Sequence, residues 1–184
     1  MSKSIVKFED LIQIEPITKN QVKAFESWAD GENLVLAGSA GTGKTFVAMY
    51  LALQASLEPS TPYHKVVVVR SIVPTRDMGY LPGTKEEKVE PFETPYKTIS
   101  LELFDYDSAV YNKLINNHQM EFITTSFVRG TQLNNAIVII DEMQNLNFHE
   151  LDSVITRIGQ YCRVIFSGDY YQSDFREGYE RDGI

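Results

Sequence analysis

The apolar positions of the chain fall into two kinds of run. Asn33–Ala37 (NLVLA), Lys65–Val69 (KVVVV), Glu121–Thr124, Ala136–Ile140 and Arg163–Ser167 (RVIFS) are short and lack polar alternation. Strands read this way when both faces of a parallel sheet are covered. Between them the spacing turns helical. Val22, Phe25 and Trp28 stand three apart within residues 19–30, with Pro16 and Thr18 just ahead, which predicts a helix with its start signal. Thr45–Leu57 is apolar nearly all round, the mark of a buried helix. Phe148–Gly159 also reads as helix, residues 85–118 as polar, acidic and partly helical, and Met78–Gly83 (MGYLPG) as a turn. Strands alternating with helices predict an α/β fold with a doubly wound parallel sheet. The 184 residues suit a single domain, 1–184.

Composition narrows the function classes. The net charge is −8, from 25 acidic against 17 basic residues, which argues against a generally basic, charge-driven nucleic-acid binder and leaves a local basic groove open. Cys162 is the single cysteine, so no intrachain disulfide forms and a reducing cytoplasm is expected. The opening MSKSIVKFED has no signal-peptide pattern, and no apolar run reaches the ~20 residues of a membrane helix. No membrane partner is expected.

The chemistry is concentrated at two strand ends. Gly38, Ser39, Ala40, Gly41, Thr42, Gly43, Lys44 and Thr45 spell GSAGTGKT, between a strand and a helix. This matches the phosphate-loop pattern G-x-x-x-x-G-K-[ST] in its required context. Glycines let backbone N–H groups crowd around phosphate oxygens, and the helix N-terminus adds partial positive charge. Lys44 is expected at the β- and γ-phosphates and the Thr45 hydroxyl on Mg²⁺. The bland alternative is an ordinary glycine-rich turn. A second strand, Ala136–Ile140, runs directly into Asp141 and Glu142. Buried carboxylates need a positive partner, and Mg²⁺ carried in on a nucleotide supplies one. Asp141 is then the metal residue, reaching it through water, and Glu142 the base that polarises an attacking water. The alternative is a pair of acids capping the next helix. A guanine-reading N-K-x-D is missing: Asn112–Lys113 continues as Leu114–Ile115.

Two glutamines extend the site. Gln172, in SGDYYQ after the fifth strand, can contact a γ-phosphate or position water without carrying charge, or belong to a polar loop. Gln21 can pair with adenine through its amide. It also completes a capping box with Thr18, and both roles can hold together.

GSAGTGKT, the stretch from Val68 to Pro91, SFVRG (Ser126–Gly130), DEMQ (Asp141–Gln144), TRIG (Thr156–Gly159) and SGDYYQ together resemble the PhoH-like ATPases, in the form carried by many bacteriophages. The resemblance covers roughly residues 16–176. It implies a RecA-like P-loop NTPase core related to superfamily 1 helicases, with strand order 3-2-4-5-1. It also implies ATP with Mg²⁺ as cofactors, ATPase activity, and work linked to RNA or single-stranded DNA. The cytoplasm is then that of a bacterial host if the chain is phage-encoded. By motif, Lys44 and Thr45 belong to Walker A, Asp141 and Glu142 to Walker B, Gln172 to the γ-phosphate sensor and Gln21 to the adenine motif. Superfamily 1 helicases use two RecA-like domains where this chain has room for one, which argues against autonomous helicase action. The rival reading is an ATP-controlled assembly switch.

Arg70, Arg129 and Arg157 lie in family-like motifs. Each reads as a structural or phosphate-facing Arg; the alternative is a finger acting in trans on a neighbour's ATP, with Arg157 the first candidate and Arg129 the second, within a homo-oligomeric ring such as a hexamer. Thr124 and Thr125 are candidates for touching a nucleic-acid backbone, or form a strand-end turn. Phe92, Tyr96, Phe104 and Tyr106 lie among seven acids and three lysines in residues 85–107 and are expected to pack or form a subunit interface. His64, His118 and His149 are expected at the surface. In the implied strand order the phosphate-loop strand is an edge, with no Pro or Lys to blunt it. The chain is therefore expected either to be C-terminally truncated or to cover that edge with Ser4–Ile14.

Overall fold

The computed structural model describes residues 5–71, 85–128 and 130–169, those of 85–89 by backbone only. The elements in chain order are α1 (Lys19–Ala29), β1 (Leu34–Ala37), α2 (Lys44–Leu57), β2 (Lys65–Arg70), α3 (Lys85–Leu103), α4 (Val110–Asn116), β3 (Met120–Thr124), α5 (Thr125–Val128), β4 (Ala136–Asp141), α6 (Phe148–Ile155) and β5 (Cys162–Gly168). The five strands form one sheet, and every pairing is parallel. Counted from the β3 edge the order is β3-β2-β4-β5-β1, as the resemblance implies.

The unbroken apolar runs are explained by two cores, one on each face. Alternate residues of a strand point to opposite faces. Val66, Val68, Ile137, Ile139 and Ile165 join α1–α4 in one core. Val67, Val69, Val138, Ile140 and Val164 meet Val128 of α5 and Val154 of α6 in the other. Fully buried Met49, Leu51 and Leu53 account for the all-round apolar character of α2. Register brings the carboxyl ends together: Arg70 is level with both Thr124 and Asp141, and Ala37 with Gly168.

One expectation needs correction, and two alternatives left open by the sequence are decided against. The helix expected over Phe148–Gly159 ends at Ile155; Gly159 instead lies against Leu133 and Asn134, where a Cβ would meet Asn134 Oδ1 at 2.1 Å. Residues 5–14 do not cover β1. The Val6 N–H donates to Gln119 Oε1 (3.0 Å), beside β3 at the far edge of the sheet, and the Ile12 N–H to the Leu103 carbonyl (3.0 Å). Among the described residues β1 pairs only with β5. Thr124 and Thr125 are buried rather than presented to a ligand, and the Thr125 hydroxyl donates to Glu150 (2.6 Å). The Met78–Gly83 turn lies outside the described residues. His64, His118 and His149 are exposed. Among the described residues no helix is long and apolar enough to cross a membrane.

Candidate functional site

The loop between β1 and α2 turns on two glycines. Gly41 and Gly43 hold φ of 74° and 78°, a region that costs an L side chain strain and glycine almost nothing. The loop is fastened at three points. The Gly38 N–H donates to the Gly168 carbonyl (3.3 Å), the Ala40 N–H to Asp169 Oδ2 (3.1 Å), and Thr42 Oγ1 to the Ser39 carbonyl (2.8 Å). Lys44 folds back over the loop, donating to the Gly38 and Ser39 carbonyls at 2.8 Å each.

The loop meets the tip of β4. Thr45 Oγ1 donates to Asp141 Oδ1 at 3.1 Å. Asp141 is only 3% exposed, so its carboxylate must be satisfied from within. Its second oxygen, Oδ2, accepts from the Tyr96 hydroxyl at 2.7 Å. Burial, and next the Asp141 carboxylate, push the Tyr96 phenol well above its ordinary pKa, while Arg70 pulls it back. The phenol therefore keeps its proton at neutral pH and donates it to Asp141.

Glu142 adopts left-handed backbone, φ 51° and ψ 46°, a conformation of order 1 kcal/mol or more above the common regions. It caps nothing by its side chain, and the cap of α6 is Asn147. The helix-capping alternative for the two acids therefore fails. Glu142 instead accepts from Gln144 Nε2. Gln144 is buried, and its Oε1 accepts from the Asp169 N–H at 2.9 Å. A chain of contacts thus runs Glu142–Gln144–Asp169–Ala40, from the end of β4 through the end of β5 to the phosphate loop. A cavity of about 330 Å³ opens among Ala40, Lys44, Thr45, Glu142, Gly168 and Asp169. A second, of about 250 Å³, lies on the other side of the loop, lined by Gln21, Ala24, Leu36, Thr42, Lys44 and Val47.

Lys44, Thr45, Asp141 and Glu142 thus come together. Gln21 sits in the neighbouring cavity and also forms its capping box: Oε1 accepts from the N–H groups of Thr18 (3.1 Å) and Ile17 (2.9 Å). Gln172 and Arg129 lie outside the described residues. Arg157 does not join the site. Its carbonyl accepts from the Leu133 N–H (2.8 Å) ahead of β4, at the amino ends of the strands, opposite the phosphate loop. Arg70 does reach the junction, at the tip of β2 beside Tyr96.

Sequence reasoning gave no role to Tyr96 beyond packing or a subunit interface, and none to Gln144 and Asp169. Gln144 and Asp169 stand inside stretches already singled out, DEMQ and SGDYYQ, and their nearness to the two motif ends was the available signal. Tyr96 precedes Asp141 by 45 residues and had none.

The chemistry available fits a divalent cation carried by a phosphate ligand. Thr45 and Asp141 offer hard oxygen donors side by side, which suits Mg²⁺. Among the described residues no three His, Cys, Asp or Glu side chains gather into a protein-only metal cage, so further donors would come from the ligand and from water.

Comparison with known proteins gives three kinds of likeness. The family model PhoH, described as PhoH-like protein, matches residues 13–184. The chain is 37% identical over 153 residues to protein PhoH2 of Bacillus subtilis, covering 77% of this chain and 32% of that protein. It is 31% identical over 173 residues to the PhoH-like protein of Mycobacterium leprae, with 93% and 48% covered. The chain thus spans a third to a half of the length of these relatives. Among solved structures, the SWI2/SNF2 ATPase core of Sulfolobus solfataricus in complex with double-stranded DNA superimposes with a TM-score of 0.53. It is 13% identical, over 96% of this chain and 36% of that one, a likeness of fold.

Proposed function

The chain belongs to the PhoH-like protein family, and from that membership and the junction described above we propose that it binds ATP with Mg²⁺ and hydrolyses it, coupled to RNA or single-stranded DNA. The observation that carries this reading is the meeting of Thr45 with Asp141 at 3.1 Å, under a glycine-turned loop and beside Glu142. Mg²⁺, when bound, supplies positive charge against the phosphate oxygens. Thr45 and Asp141 are the residues that would hold it.

The other roles follow from position. Lys44, now on two loop carbonyls, can exchange them for β- and γ-phosphate oxygens, a stronger charge-assisted contact. The loop N–H groups from Gly41 to Thr45 face the phosphates in the manner of a helix N-terminus. Glu142 accepts the proton of the attacking water, with Gln144 fixing its carboxylate. Gln172 reads the γ-phosphate, and Gln21 faces the base. Arg157, at the far end of the sheet, can serve only a neighbouring copy's site, so its role as a finger presumes a homo-oligomer. The coupling to nucleic acid rests on the family resemblance; the neighbour of like fold was solved with double-stranded DNA, which supports nucleic acid in general and not the single-stranded form. At −8 net charge such coupling requires a local groove rather than the whole surface. The second reading is a switch in which hydrolysis controls assembly.

ATP turnover measured with and without Mg²⁺, RNA and single-stranded DNA tests both. Stimulation by either nucleic acid supports the first reading, and turnover indifferent to both leaves the switch. Glu142→Gln should keep nucleotide binding and lower turnover by about 10²–10⁴-fold, the usual worth of a general base. Hydrolysis at the parent rate would remove Glu142 from that role.

A further inference from the structure

We propose that Tyr96 is a positioning residue of the Mg²⁺ site, and that its phenol acts as a spacer keeping Arg70 off Asp141. This rests on the ATP–Mg²⁺ reading and adds to it a residue that no motif contains.

Arg70 and Asp141 are level across β2 and β4, both at the carboxyl ends of their strands. A guanidinium and a buried carboxylate on neighbouring strand tips would ordinarily close into a direct, two-pronged pair. Such a pair would spend the Asp141 charge on Arg70 and occupy the oxygens a cation needs. Helix α3 prevents this with two residues one turn apart, Phe92 and Tyr96, which share a face. The Phe92 ring lies under the Arg70 guanidinium, 5.8 Å from centroid to carbon. The Tyr96 hydroxyl donates to Asp141 Oδ2 at 2.7 Å and also feels the Arg70 charge, so one phenol touches both partners of the would-be pair. Its ring is fully buried, 5.5 Å from that of Phe122, so the phenol has little freedom to swing away.

The arrangement divides the labour of the carboxylate. Oδ2 is held by a neutral donor, which fixes the group without cancelling its charge. Oδ1 is left beside the Thr45 hydroxyl, on the side where the cation arrives. Arg70 polarises the phenol and so strengthens the bond it donates, but cannot displace the cation. Partners that orient a metal-binding side chain are typically worth about 10–100-fold in metal affinity.

The test is a binding measurement. A non-hydrolysable ATP analogue is titrated into the protein by calorimetry over a series of Mg²⁺ concentrations, giving the half-saturating Mg²⁺ concentration for tight binding. Tyr96→Phe keeps the ring against Phe122 and removes only the hydroxyl. Thermal unfolding of the nucleotide-free protein checks that it folds. Its half-saturating Mg²⁺ concentration should rise about 10–100-fold, with affinity for the Mg²⁺-free analogue little changed. In Tyr96→Phe/Arg70→Met the competing guanidinium is gone, and the part of that rise due to Arg70 should be recovered, while the part due to the lost hydrogen bond remains. A Tyr96→Phe variant with the parent's Mg²⁺ response would overturn the positioning role. A double variant as impaired as the single one would overturn the spacer. A parent protein whose binding of the analogue ignores Mg²⁺ would overturn the ATP–Mg²⁺ reading itself, and this inference with it.

Discussion

At the scale of single residues, the site is set by close approaches that admit no substitute. Gly168 ends β5 against the turn that carries Glu142. A Cβ there would lie 2.6 Å from both Gln144 Oε1 and Met143 Cγ, well inside contact distance. Gln144 links Glu142 to the Asp169 backbone, so pushing it aside disturbs the proposed base and the phosphate-loop anchor together. Gly168→Ala should therefore cost about 1–3 kcal/mol by overpacking and lower turnover more than nucleotide affinity. Thermal unfolding and steady-state kinetics check the two halves, and an alanine variant of parent stability and rate would show that the turn can yield. Much of this site was legible in the sequence because its chemistry is contiguous. Lys44 and Thr45 adjoin in one motif, Asp141 and Glu142 in another, and each motif sits at a strand end. Tyr96 was not legible. A hydrogen bond to Asp141 across 45 positions depends on how α3 is laid over the sheet, and no local pattern encodes that.

At the scale of elements, legibility followed the strength of the period. The strands were readable because β-branched runs such as Val66–Val69 suit a doubly covered sheet and little else. Helix α3 was only partly readable, because Pro91 and Pro95 lie inside it, and each removes a backbone donor that a helix interior normally uses. In helix α1 one side chain is both a cap and the proposed adenine contact. Gln21 Oε1 already accepts two N–H groups, which fills both of its lone pairs. Only its amide N–H₂ is left to face a base in the adjoining cavity. The two roles can therefore be separated by substitution. Gln21→Glu keeps the acceptor that the capping box needs and removes the donor. It should retain the parent's thermal stability and bind ATP more weakly. Gln21→Ala should lose both, with about 1 kcal/mol of stability. If Gln21→Glu binds ATP as the parent does, the glutamine serves the helix alone.

At the scale of the whole molecule, the two faces of the sheet are unequally covered. Helices α5 and α6 pack over β2, β4 and β5, and no described element extends that cover to β1. Leu34 of β1 is buried toward the α1–α2 side, while Val35 points the other way and is 65% exposed. Among the described residues β1 also has a partner along one side only. An edge that joins unpaired backbone groups to an apolar face is a template for strand pairing between copies. The segment expected to cover it, Ser4–Ile14, follows the opposite flank as far as it is described, tied to Gln119 and Leu103. If no segment outside the described residues covers that edge, the protein should self-associate through β1, with an apparent mass in sedimentation that rises with concentration. Val35→Lys places a charge on that face without touching the core, so its cost to the fold should stay within about 0.5 kcal/mol. It should hold the protein monomeric at concentrations where the parent associates. If the variant and the parent sediment alike, β1 is not the contact, and any homo-oligomer that brings Arg157 to a neighbour's phosphate loop must be built on another face.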